Sequence, residues 1–105
     1  MNASETAIEA GERVVVELFG LPQLIAGTRT VTLQLPSDAT TRDAVTALAA
    51  RCPALVGRVI STDGGELLQG YAFNRDGVCF LEGPDIPLSL QSGETLLLLS
   101  NLAGG

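Results

Sequence analysis

Apolar positions along this chain of 105 residues fall into runs of two kinds, fully apolar and strictly alternating. After Arg13, Val14-Val15-Val16-Glu17-Leu18-Phe19 starts apolar on both faces and breaks at Gly20, which predicts a central strand. Leu96-Leu97-Leu98-Leu99 is a second run of this kind, reached through Leu88, Leu90 and the turn Gln91-Ser92-Gly93-Glu94. Thr30-Val31-Thr32-Leu33-Gln34-Leu35 alternates polar and apolar residues, as a strand does with one face on the core and one in water. It predicts a hairpin with the first strand across a long loop containing Pro22 and Gly27.

Pro36-Ser37-Asp38 ends that strand, and Thr40-Thr41-Arg42-Asp43 gives a capping-box pattern that opens a helix. Ala44, Val45, Leu48, Ala49 and Cys52 recur on one helical face, Thr41, Arg42, Asp43, Thr46 and Arg51 fall mostly on the other, and Pro53 is the stop. Ala54 to Ile60 predicts a short further helical turn, and Ser61 to Gly70 a surface loop. Tyr71-Ala72-Phe73-Asn74 and Val78-Cys79-Phe80-Leu81, joined by Arg75-Asp76-Gly77, predict two short edge strands about a tight turn. Two doubly apolar runs separated by a capped helix imply neighbouring parallel central strands with a right-handed crossover. The expected class is α+β, a mixed sheet of four to five strands with one main helix. Residues 1–12 read as a mobile acidic tail, 13–100 as one domain and 101–105 as a flexible C-terminal tail. The expected core is Val14, Val16, Leu33, Val45, Leu48 and Leu97.

At 46% apolar residues such a length buries one small core. A net charge of -6, with six basic residues and no basic cluster, argues against nucleic acid or an anionic membrane as partner and for a partner with a basic docking surface. No apolar stretch is long enough to span a bilayer and the first residues are acidic, so the expectation is a cytoplasmic protein. Cys52 and Cys79 then read as buried thiols, the alternative being a disulfide. Without histidine, a zinc site or a histidine-based triad has no ligand or base, and Cys79 has no activating partner. Asp63, Glu66, Asp85 and Glu94 fall in predicted loops and read as solvated surface. All six basic residues are arginine, so no lysine amine is offered for an isopeptide bond.

The candidate chemistry lies in the tail Leu102-Ala103-Gly104-Gly105. Glycine has no Cβ, so a Gly-Gly end can thread a narrow channel and present its carboxylate to a nucleotide with nothing beside the acyl carbon to block attack. The doublet follows a strand-like run, Thr95 to Ser100, and a connector of three residues, Asn101-Leu102-Ala103.

Leu18-Phe19, Leu35-Pro36 with a helix opening at Thr40-Thr41, Leu48-Ala49-Ala50-Arg51-Cys52-Pro53-Ala54-Leu55, Phe73-Asn74, Ile86-Pro87-Leu88, Ser92-Gly93-Glu94 and Gly104-Gly105 follow one another in a familiar order. From Val14 to Gly105 the chain resembles the β-grasp, ubiquitin-like sulfur carriers, the family of the molybdopterin synthase small subunit and the thiamine sulfur-carrier protein. The resemblance implies a non-catalytic co-substrate. An ATP- and magnesium-using activating enzyme would adenylate the Gly105 carboxylate, and a sulfide equivalent would displace AMP to leave a thiocarboxylate. A sulfur-accepting synthase, of the molybdopterin synthase large-subunit type or one serving cysteine, thiamine or another sulfur metabolite, would receive it. No cofactor would be bound by the chain itself. Phe73, Phe80 and Leu102 are the docking contacts the resemblance suggests, with core packing open for the two phenylalanines. The alternative is a ubiquitin-like modifier joined through Gly105 to lysines of other proteins; a third reading is a β-grasp interaction module whose Gly-Gly is incidental.

Overall fold

The computed structural model describes residues 11–75, 77, 79–81, 85–88 and 93–100. Strand β1 (Glu12–Leu18) and strand β2 (Thr30–Leu35) form the expected hairpin, with Val14 opposite Leu33 and Val16 opposite Val31. The connection between them is more than a loop: Leu21–Ala26 forms a short helix, α1, bracketed by Gly20 and Gly27 at φ 66° and 75°. The left-handed backbone at both ends is what glycine permits at no steric cost, and Pro22, near the helix start, loses no hydrogen bond it would otherwise have made.

Helix α2 (Thr41–Arg51) starts where the capping box places it; the Asp43 carboxylate accepts the Thr40 backbone N–H at 2.9 Å. Its buried face is Ala44, Val45 and Leu48, joined by Thr41, which the sequence pattern had put on the polar side. Thr41 is buried because its Oγ1 accepts the backbone N–H of Ile86 at 3.2 Å, so the hydroxyl is satisfied inside. A 3-10 turn, Pro53–Leu55, follows and inserts Leu55 into the core.

Strands β3 (Tyr71–Arg75), β4 (Cys79–Leu81) and β5 (Glu94–Ser100) complete one five-stranded sheet in the order β2-β1-β5-β3-β4. The pairing of β1 with β5 is parallel, Val14 opposite Glu94 through Leu18 opposite Leu98, as the two doubly apolar runs imply. Of the two strands expected at edges, β4 is one; β3 lies inside, paired antiparallel with β5 on one flank and β4 on the other. Its three buried central residues, Ala72, Phe73 and Asn74, fit that interior place.

α2 covers one face of the sheet. Val14, Val16, Leu18, Val31, Leu33, Leu35, Phe73, Leu96 and Leu98 point toward it and close on Ala44, Val45, Leu48, Leu55, Val59 and Ile60. Each Val, Leu, Ile or Phe side chain so withdrawn from water contributes about 1.5–3 kcal/mol. Leu97 is not in this set: in register with Glu17 and Asn74 it sits half-buried on the opposite, open face. Neither cysteine is fully buried: Cys52 is half-buried, Cys79 is exposed, and both are free thiols. Among the described residues no helix is long and apolar enough to cross a membrane.

Candidate functional site: the end of strand β5

Since β1 and β5 run parallel, the last residues of both reach the same end of the sheet. Phe19 donates its backbone N–H to the Leu98 carbonyl at 3.1 Å, and Ser100 stands opposite Tyr71 at the start of β3. The chain leaves β5 there toward residues 101–105. Leu102, Ala103, Gly104 and Gly105 lie outside the described residues, as do residues 1–10 of the expected N-terminal tail. β1 itself opens at Glu12, one residue before the expected domain start.

The open face of the sheet follows from strand register, because residues directly opposite share a face. Phe80 stands opposite Asn74, which stands opposite Leu97; Ala72 stands opposite Leu99. Phe80 is 41% exposed on edge strand β4, whereas Phe73, offered as docking contact or core, is 1% exposed and belongs to the core. Asn74, at 4% exposure, carries an Oδ1 with no hydrogen-bond partner among the described residues. The sheet face away from α2 therefore carries Leu97, Leu99 and Phe80, with Ala72 and Asn74 buried among them.

At the opposite end of the sheet, where β5 begins, two arginines are paired with carboxylates. Arg75 Nε meets Glu94 Oε2 at 2.6 Å, a close charge contact off the N–H axis, and Arg75 Nη2 donates to the Leu88 carbonyl. Glu94 thus opens a strand rather than lying in a solvated loop. Arg42 lies 3.2 Å from Asp85 and 3.9 Å from Glu66 on the surface. Asp63 organises its loop by accepting from Ser61 Oγ at 2.6 Å and from the Gly65 N–H at 2.9 Å; these bonds hold its carboxyl below the usual range. A cleft of about 240 Å³ lies between α2 and β3, lined by Val45, Leu67, Leu68, Tyr71, Phe73 and Leu81 with Arg42 among its lining residues.

Among the described residues no hydrogen-bonded set joins an acid, a base and a nucleophile. Burial pushes the Cys52 thiol up, with the Arg51 guanidinium opposing, which lowers its thiolate fraction at neutral pH. Among the described residues no three histidine, cysteine, aspartate or glutamate side chains converge on a point where a metal ion could sit. What the sequence pattern missed is α1, which exposes Leu21 and Leu24 and begins two residues after Phe19, the residue bonded to Leu98 of β5. The signal was present: two glycines seven residues apart, enclosing Leu-Pro-Gln-Leu-Ile-Ala with proline at its second position.

No protein-family model matches the chain, and no curated protein matches it. Solved structures do. Two crystal structures of small archaeal modifier protein 1 from Haloferax volcanii are similar to it at TM-scores of 0.70 and 0.71. Both are 32% identical to this chain, covering 89% and 88% of it and 99% and 100% of their own length. The solution structure of the Methanosarcina acetivorans protein of that name, 21% identical at TM-score 0.67 over 90% of this chain and 98% of its own, shares the fold. With about a third of positions identical along essentially the whole Haloferax protein, on a five-stranded mixed sheet gripping one main helix, the chain belongs to the small archaeal modifier protein 1 family, ubiquitin-like β-grasp proteins related to the sulfur carriers.

Proposed function

We propose that this chain is a ubiquitin-like modifier, activated at Gly105 and joined through it to lysines of other proteins. The likeness to the Haloferax modifier over that protein's whole length carries this reading, and it favours the modifier over the sulfur carrier that the sequence resemblance put first. In the first step an oxygen of the Gly105 carboxylate attacks the α-phosphorus of ATP on an activating enzyme, with magnesium shielding the phosphates, and pyrophosphate leaves. In the second, directly or through an enzyme thioester, a lysine amine attacks the acyl carbon. The acyl carbon's leaving group departs and the amine gives up a proton. The chain supplies no acid or base; it is a co-substrate.

The fold supports this division of labour. β5 is held on both flanks, so the tail has a fixed point of departure, and the sheet face that carries Phe80 gives an activating enzyme a surface to hold, with Leu102 as the tail's own apolar contact.

A sulfur-carrier role shares the adenylate and differs in the acceptor: a sulfide equivalent displaces AMP, leaving a Gly105 thiocarboxylate for a sulfur-accepting synthase. The absence of lysine favours it, since the chain cannot extend itself into lysine-linked polymers.

The test is mass spectrometry on the native cell. Trypsin would leave everything from Asp76 onward on a modified lysine, because Arg75 is the last basic residue. A protease cutting after Leu102 leaves the short remnant Ala-Gly-Gly instead. Lysines bearing that remnant are the expected result. Sulfur-for-oxygen exchange localised to Gly105, distinguished from oxidation at Met1, Cys52 or Cys79, would assign the carrier role. Neither product, in cells expressing an activating enzyme, overturns both.

A further inference from the structure

α1 is unusual for what it leaves in water. Leu24 is 78% exposed and Leu21 46%, and no residue of Leu21–Ala26 is charged. The helix is nevertheless firmly set. Leu24 donates to the Gly20 carbonyl at 3.1 Å, Gly27 to the Gln23 carbonyl at 2.9 Å, Pro22 is buried, and the turn Pro53–Leu55 packs beside it. A rigid element that holds an exposed leucine gains nothing from it within the monomer, because burying a leucine is worth about 1.5–3 kcal/mol and this one is not buried.

Its location gives the leucine a use. α1 begins two residues after Phe19, whose N–H is bonded to Leu98, and β5 ends at Ser100. The five residues that follow Ser100 extend at most about 17 Å, at roughly 3.4 Å per residue. Any enzyme that holds the Gly105 carboxylate must therefore bring its own surface close to this end of the sheet, and α1 stands in the way or in the contact.

The charges at this end run against the net charge of -6. Arg29 precedes β2 there, with its carbonyl bonded to the Leu18 N–H at 2.7 Å; Arg51 ends α2, and Arg58 follows the turn packed on α1. All three are exposed and none forms an ion pair with a described residue. Glu17 is the strand carboxylate nearest this end, while Glu12, Asp38, Asp43, Asp85 and Glu94 belong to the opposite one.

We propose that Leu21 and Leu24 form an apolar collar at the end of the sheet where β5 finishes, which docks on the activating enzyme at the mouth of its nucleotide channel, on a surface that is apolar and rimmed by carboxylates. The collar rests on the activation of Gly105 proposed above. Its role is to hold the domain while the tail is threaded, so it contributes to recognition of the protein substrate and not to the chemical step.

The experiment is ATP–pyrophosphate exchange catalysed by the activating enzyme from the same cell, with wild type, Leu24→Ser, Leu24→Met and a Gly105 deletion. Leu24→Ser is expected to raise the half-saturating concentration of the chain about tenfold, with maximal rate and melting temperature unchanged. Leu24→Met should restore the wild-type value, and Arg29→Glu should weaken binding further and flatten its salt dependence. Loss of exchange on Gly105 deletion together with unchanged saturation by Leu24→Ser would overturn the collar and leave the activation reading standing. No exchange with wild type would overturn both. If sedimentation shows wild type as a dimer and Leu24→Ser as a monomer, a second copy covers the collar and the proposal is wrong.

Discussion

The two ends of the sheet are finished differently. Where β5 begins, Arg75 meets Glu94 and Arg42 meets Asp85, so the arginines that face this end from β3 and α2 are paired within the chain. Where β5 leaves off, Arg29, Arg51 and Arg58 have no carboxylate partner among the described residues, and Leu24 stands in solvent. Those two pairs serve stability at the first end. The second has both apolar surface and charge left over, which a folded monomer does not need and a docking partner can use. On the proposed function, the unmet interactions are concentrated where the tail departs.

The sharpest way to test that contrast is at the tail. Deleting Gly105 is expected to abolish adenylate formation while leaving the melting temperature unchanged, by pyrophosphate exchange and calorimetry; retained exchange would detach function from this end altogether. Next in size is the pair of phenylalanines. Phe73→Ala should cost about 3–5 kcal/mol in denaturant unfolding, as a large core side chain does. Phe80→Ala, on the open face of an edge strand, should cost less than about 1 kcal/mol and act on partner binding instead. Equal destabilisation would place Phe80 in the core as well. At the end where β5 begins, Glu94→Ala should destabilise by about 1–3 kcal/mol because it strips a half-buried guanidinium of its counter-charge. Arg42→Ala, whose pairs are surface-exposed, should stay within about 1 kcal/mol.

The smallest expected effect is a pH response in the Asp63 loop. The folded-state pKa of Asp63 is lowered, first by the Ser61 hydroxyl and then by the Gly65 amide. Its contribution is therefore present above the unfolded value, about 3.9, and is lost as pH falls through the lower folded value. The Gly65 amide should shift in NMR below the usual carboxylate range, and Asp63→Asn should remove that titration. A shift centred at or above the usual range would contradict the geometry.

Much of this was legible in the chain. β1, β2, α2 and β5 announce themselves because each has a clear period or a clear cap. What was not legible depends on tertiary register. Four consecutive leucines carry no phase, so only pairing with β1 decides that Leu96 and Leu98 face the helix while Leu97 faces away. Phe73 and Phe80 look alike in sequence, yet the hairpin register sends them to opposite faces. Thr41 is polar and buried because a chain segment more than forty residues away supplies its hydrogen bond. The collar was hidden for another reason: Pro22 and Gly27 read as loop punctuation when they are the start and stop of a short helix.

The flanking of β5 also has a mechanical meaning. It is bonded to β1 from Val14 opposite Glu94 to Leu18 opposite Leu98, and to β3 from Arg75 opposite Leu96 to Tyr71 opposite Ser100. A pull on the tail acts along the axis of this strand, so both ladders are loaded together in shear instead of being peeled open one bond at a time. A tail threaded through a narrow channel, as proposed, would load the body in its most resistant direction.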